Sequence, residues 1–358
     1  MQSYLNFVIL PIVILMVSCS EPPSWQPVDV SQVVLEDIRI ERFDREFGRL
    51  GADSLSENPV ANAVALHRQW KTGYGNFYAD FIEGMLRIGS AEDDLAIPDL
   101  LAGIGSNPDF DHLRKSVEDV FPVLEQQEAQ LTDAFKRIRY YLPEAALPPH
   151  FIAFFSGFAV QIPIGEDYIG IGLDLFLGAD SEFYPELIDT FPQYISRRFT
   201  PAHLTPRVIE AYIYDSLLEK PTQNASFLDH LIYHGKAFYL MDLALPYVTD
   251  SIKIGYTDKQ LAWAKHFQTQ IWDWMVSEEL LYQTDFSHFN QHFSEAPFTV
   301  GLGEKNESAP KLGIYIGWQL VRQYMERHPE TEVQDLLQMT DAQYILSESR
   351  YKGRFRSR

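Results

Sequence analysis

HFIAFFSGFAVQI, residues 150–162, and DYIGIGLDLFL, residues 167–177, are the stretches that decide the fold class. Both are dense in aromatic and β-branched residues, and Pro163–Glu166 breaks between them, so they read as two adjacent strands in a hairpin. The pattern on either side is helical. Upstream, LEDIRIERFDREFGRL (35–50) alternates briefly and then takes helical spacing. Residues 60–88 carry the helical period, and 107–141 form one long helix or a pair broken at Pro122, whose ring cannot continue a helix. AEDDLAIPD (91–99) reads as an acidic, solvated loop. Downstream, Pro206–Leu218 is helical and Ser226 with Asp229 opens a further helix. Thr257 and Gln260 form a capping box ahead of Leu261, Ala264, Phe267, Ile271, Trp274 and Met275, which share one apolar face. Helices over about 312–327 and 332–348 close the chain. The expected fold is α+β, mainly helical with one small antiparallel sheet.

Composition narrows the function. The 358 residues are 46% hydrophobic and include 24 Phe and 19 Tyr, enough for a large core. A net charge of -21 argues against nucleic acid, whose phosphates demand clustered Lys and Arg. It also repels anionic lipid headgroups, so attachment to a membrane needs a separate device.

The N-terminus supplies one. FVILPIVILMV (7–17) is too short to span a bilayer and fits the apolar region of a secretory signal. Ser18 directly before Cys19 is similar to the lipobox of bacterial lipoproteins, which implies diacylglyceride on the thiol and cleavage ahead of it. Met16 stands where Leu is commonest, and no Lys or Arg precedes the apolar run. Cys19 is the sole cysteine, so no intrachain disulfide forms. The expected organisation is a signal peptide over 1–18, a lipidated Cys19 with a Pro-rich tether over 19–34, a single periplasmic globular domain over 35–350, and a frayed basic tail over 351–358. Localisation follows as the cell envelope, with the lipid on Cys19 as the membrane contact.

Few residues suggest chemistry. His230 and His234 in DHLIYHGK stand one helical turn apart, as two zinc ligands would. A hydrolase of the HExxH type places its general base directly after the first His, and here that position is Leu231. The pattern therefore favours a structural pair and no cofactor, with a zinc-dependent metallohydrolase as the alternative. His288 and His292 repeat the spacing and read as a polar helix end. Gly301 and Gly303 read as a turn, Gly313 and Gly317 as small residues permitting close helix packing, and Arg322 with Glu326 as a surface ion pair. The many aromatics leave a carbohydrate- or peptidoglycan-binding module as a third option, against a Phe- and Tyr-rich core.

Several ordered segments resemble the gliding motility lipoprotein GldB family of Bacteroidetes over nearly the whole length. They are IERFDREF (40–47), YGNFYADFIEGMLRIG (74–89), AFKRIRYYLP (134–143), IGIGLDLFLG (169–178), LDHLIYHGKAFYLMD (228–242), KIGYTDKQLAW (253–263) and IGWQLVRQYM (316–325). The resemblance implies a non-enzymatic envelope lipoprotein that supports gliding, linked to the type IX secretion and motility apparatus and contacting other envelope proteins. It brings no established catalytic residues. A fainter similarity to predicted zinc peptidases implies a degenerate, zincin-like scaffold. HGKA (234–237) stands where an EGLA-like segment supplies a Glu ligand, and RVIEAYIYD (207–215) keeps Glu210 without flanking His.

Overall fold

The computed structural model describes residues 27–52, 58–299, 302 and 308–354. Cys19 and the first half of the expected tether lie outside these residues, as do Gly301 and Gly303. Strand β1 (Ile40–Arg42) leads into α1 (Phe43–Ala52), and Asn58 caps α2 (Pro59–Asp80) by accepting from the Ala61 amide. α3 (Ala96–Gly105), α4 (Pro108–Val120) and α5 (Glu125–Tyr141) follow. Pro122 sits between the last two, so 107–141 is the broken pair. The acidic stretch at 91–99 is only partly a loop: Asp93 accepts from the amides of Leu95 and Ala96 as α3 begins, and Ile97 and Leu101 are fully buried. Phe43 is the hub of this half. The rings of Phe47, Trp70, Tyr74, Phe77, Tyr78 and Phe81 surround it, mostly edge-to-face.

The sheet is small, as expected, but parallel. β2 (His150–Phe154) lies between β1 and β3 (Tyr168–Gly172), and both pairings run in the same direction. The hairpin expectation is corrected for a physical reason. After β2 the chain crosses over through Gly157 and Phe158, which are left-handed at φ +64° and +58°. It then returns along the far side of β3, where Gly172 and Gly170 donate to the carbonyls of Gln161 and Pro163 at 2.8 Å each. The tight reversal at Pro163–Glu166 therefore exists, but it joins residues 161–165 to β3 rather than β2 to β3. Two glycines make this possible: a Cβ on Gly172 would fall 2.5 Å from the Val160 carbonyl, and one on Gly170 would fall 2.7 Å from the Pro163 ring. The crossover is fixed by Asp174, fully buried, which accepts from the Ser156 amide, the Ser156 hydroxyl and the Phe158 amide at 2.6–2.9 Å.

The other half is helical. It comprises α6 (Gln193–Ser196), α7 (Pro201–Tyr212), α8 (Phe227–Ala244), α9 (Asp250–Ile254), α10 (Asp258–His266), α11 (Gln268–Ser277), α12 (Phe286–Phe289), α13 (Leu312–Arg327), α14 (Val333–Gln338) and α15 (Ala342–Ser349). Capping boxes at Ser226/Asp229 and Thr257/Gln260 open α8 and α10. The apolar face expected after Thr257 is divided between α10 and α11 at Phe267. α8 and α13 cross at the centre, where a Cβ on Gly317 would lie 2.0 Å from the Leu231 carbonyl and one on Gly235 would lie 2.3 Å from the Gly317 carbonyl. The two backbones touch because neither helix has a side chain there.

Beside that crossing sits a buried charge cluster. Asp242 of α8 accepts from Lys253 at 2.8 Å, from Arg322 at 2.7 and 2.8 Å, and from the Trp318 indole at 2.8 Å. Arg322 also reaches both Asp250 oxygens, and its guanidinium lies 3.9 Å from the Trp318 ring centroid. The expected surface pair of Arg322 with Glu326 is thus replaced by an interior one. The tail is packed rather than frayed at its start: Tyr351 is buried and accepts from Gln268 at 2.9 Å, and the Gly353 carbonyl accepts from Thr269.

Two predictions follow from this core, both read as urea unfolding midpoints. Gly317→Ala should destabilise by about 2 kcal/mol or more, as overpacked cores do, whereas Gly73→Ala, with nothing within 4 Å of its Cβ, should be neutral or stabilising. Asp242→Asn should cost about 3–5 kcal/mol, because it strands two buried cations.

Candidate functional site: a charged cleft at the sheet edge

α7 presents Arg207, Glu210, Ala211 and Tyr214 at three- and four-residue intervals along one stripe that continues into the turn Ile213–Leu217. Arg207 and Glu210 are ion-paired one turn apart. A cleft of about 380 Å³ lies between this stripe and residues 159–162, the returning segment beside β3. Apolar side chains including Ile162, Phe199 and Ala211 form one wall, and Arg198, Arg207 and Glu295 supply the charge.

The charged groups come from four separate segments. Arg198 donates to Glu295 at 2.8 Å, and the Lys311 ammonium meets the same Glu295 oxygen at 2.5 Å while also donating to the Ile254 carbonyl. Arg197, next in line, donates to the Gly255 carbonyl and to Gln260. Gly255 is left-handed at φ +74°, and a Cβ there would fall 2.4 Å from the Arg198 guanidinium. Burial pushes the Lys311 ammonium down, against the pull of Glu295. Glu295 stays below the ordinary carboxylate range because Lys311, Arg198 and Arg207 outweigh the cost of its burial.

His234 of α8 meets the end of the α7 stripe at Tyr214, outside the residues that line the cleft. Its Nδ1 shares a 2.7 Å hydrogen bond with the Tyr214 hydroxyl, and its ring stacks on Phe293 at 5.1 Å. Burial pushes Tyr214 well above its usual range, so the phenol keeps its proton and donates. Burial, with His230 and Lys311 adding to it, pushes His234 down to about 3, so the imidazole is neutral and accepts. His230 lies one turn away with its ring 6.5 Å from that of His234, and it packs on Phe286, Phe289 and Phe293. The pair expected from sequence therefore shares one face, as its spacing demands, and that face is aromatic. His292 is buried against Phe227 and Trp274, whereas His288 is exposed beside Asp285. The described residues contain no group of three His, Cys, Asp or Glu placed to hold a metal ion. The stripe on α7 was legible as a helical period, but Arg198, Glu295 and Lys311 meet only through the tertiary fold. A larger cavity, about 640 Å³, lies along another stripe of α8. There Lys236, pushed down to about 8 by burial, donates to the carbonyls of Leu337 and Met339.

The architecture and the cleft define a mainly helical α+β domain with a charged groove along a small parallel sheet. None of its described helices is long and apolar enough to cross a membrane. Residues 24–353 match the family described as gliding motility protein GldB, and the chain belongs to that family of lipoproteins. No curated protein and no solved structure matches it.

Three histidines give the fold an acid limit. His203 and His292 are pushed down to about 4 and His234 to about 3, in each case mainly by burial. All three are neutral in the folded protein where the unfolded chain begins to bind protons, so their contribution is complete above pH 6.5 and is lost as pH falls toward 4. His292, the most buried, should account for on the order of 2 kcal/mol between pH 6.5 and 5. His292→Phe should flatten the fall in unfolding free energy over that interval, measured by urea titration at each pH.

Proposed function

We propose that the protein is a lipid-anchored component of the gliding motility machinery, held in the envelope through Cys19 with its body on the periplasmic side, and that it acts by binding other proteins rather than by catalysis. The observation that carries this reading is the family match, which spans residues 24–353 and so includes all but the last of the described residues. The lipobox-like Ser18–Cys19 after an 11-residue apolar run supports the anchor, and no described helix is long and apolar enough to cross a membrane. The site supports a binding role. Its imidazole and phenol are tied to each other, and its carboxylates are held in ion pairs with Arg and Lys. The partners on this reading are proteins of the type IX secretion and motility apparatus.

Cys19→Ala in the native organism should abolish incorporation of labelled palmitate, release the protein from the membrane fraction or leave it unprocessed, and stop colony spreading. Palmitate label in that variant would refute the anchor. Spreading that survives complete release would refute the motility role. The reading also expects no bound metal. About one zinc per chain in protein purified without chelator, lost when His230 and His234 become Ala, would instead favour a zinc hydrolase.

A further inference from the structure

Positive charge gathers at and around the cleft: Arg198, Arg207 and Glu295 line it, and Arg197, Lys311 and Glu210 lie outside its lining. Among the described residues Arg197, Arg198, Arg207 and Lys311 gather around Glu210 and Glu295, four cations against two carboxylates, in a chain whose net charge is -21. Both contacts to Glu295 fall on one of its oxygens, Oε1. Arg207 gives one Nη to Glu210 and has no further hydrogen-bond partner among the described residues. The buried Nε of Arg198 has none. The field is felt nearby: apart from burial, every charge acting on His203 is a cation of this group. Two guanidinium forks with donors left over, in a half-enclosed site, match the geometry of a carboxylate.

The wall opposite is a free main-chain edge. Gln161 and Pro163 turn their carbonyls toward β3, where Gly172 and Gly170 donate to them. The Val160 carbonyl also faces Gly172, and alternation then points the main chain of Ile162 the other way, toward the cleft it lines. The Ile162 amide and carbonyl form no hydrogen bond with any described residue. An extended chain laid along this edge would satisfy them and would rest its side chains on Ile162, Phe199 and Ala211. At about 380 Å³ the cleft takes a chain end rather than a long segment.

We propose that the cleft captures the C-terminal end of a partner polypeptide: its last residues pair in extended form with the main chain of Ile162, and the terminal carboxylate is held by Arg198 and Arg207. This rests on the reading of the protein as a binding component, and it names the chemistry of what is bound. A free phosphate would use the same guanidinium groups without the edge, so the test separates the two.

The test uses the full-length protein in detergent and two fluorescein-labelled pentapeptides, Ala-Val-Ala-Val-Phe with a free carboxylate and the same peptide as its amide, followed by fluorescence anisotropy. The acid should bind at least about tenfold more tightly than the amide, and Arg207→Gln should remove that difference while leaving the melting temperature within a few degrees. The acid–amide comparison on the unaltered protein stands even if the variant fails to fold. Equal binding of both peptides, or binding of neither, overturns the proposal. So does inorganic phosphate binding, read by calorimetry, without preference for the acid peptide. Palmitate labelling at Cys19 is independent of all these results, so the anchor and the cleft fail or stand separately.

Discussion

The Asp242 carboxylate is the constraint around which the helical half is arranged. It sits fully buried on α8 and accepts from Lys253 at the end of α9 and from Arg322 and Trp318 on α13. A charge removed from water this completely is tolerable only when its partners converge with good geometry. Four donors from two helices, α9 and α13, do so here. The position of α9 is thereby coupled to the α8–α13 crossing, and Gly255, directly after α9, carries that position on to Arg198 and the cleft. The electrostatics of the cleft thus depend on an interior ion cluster that the cleft itself does not contain.

Local chemistry in the sequence was readable wherever a few adjacent residues determine the outcome. The Ser226 and Thr257 caps, the break at Pro122, and the small residue Gly317 all act within one helical turn or one crossing, and each appears where the spacing implies. The sheet direction was not readable in that way. Strand content near 150–177 is local, but direction depends on the crossover held by Asp174 and on glycines that admit a third segment beside β3. The partners of Arg322 are hidden from the sequence for a related reason. A four-residue spacing to Glu326 suggests a surface pair, and only the fold reveals that its true partners lie about 70 and 80 residues away.

The candidate site divides along the same line. His230 and His234 were visible as a pair, and the structure surrounds them with Phe286, Phe289 and Phe293. The cation-rich cleft beside them was hidden, because an overall charge of -21 masks a local excess assembled from residues 197–198, 207 and 311. In a strongly acidic protein, composition speaks for the surface at large and is silent about a half-enclosed pocket. The family motif IGIGLDLFLG gains a physical meaning in the same way: its glycines admit the edge segment and its Asp fixes the crossover that leads there.

The parallel sheet also bears on when the protein can fold. β1 opens the described body, yet its pairing partner, Phe151 opposite Ile40, is synthesised about 110 residues later. Ordering β1 therefore means closing a very long loop before any ladder bond forms, a topology that slows folding. Phe43, which follows directly, is likewise without a core until α2 arrives. A chain with its first strand committed to so distant a partner stays unstructured at its leading end while the rest emerges. On the proposed placement in the envelope, such delay would keep the leading end threadable until the chain has crossed the membrane.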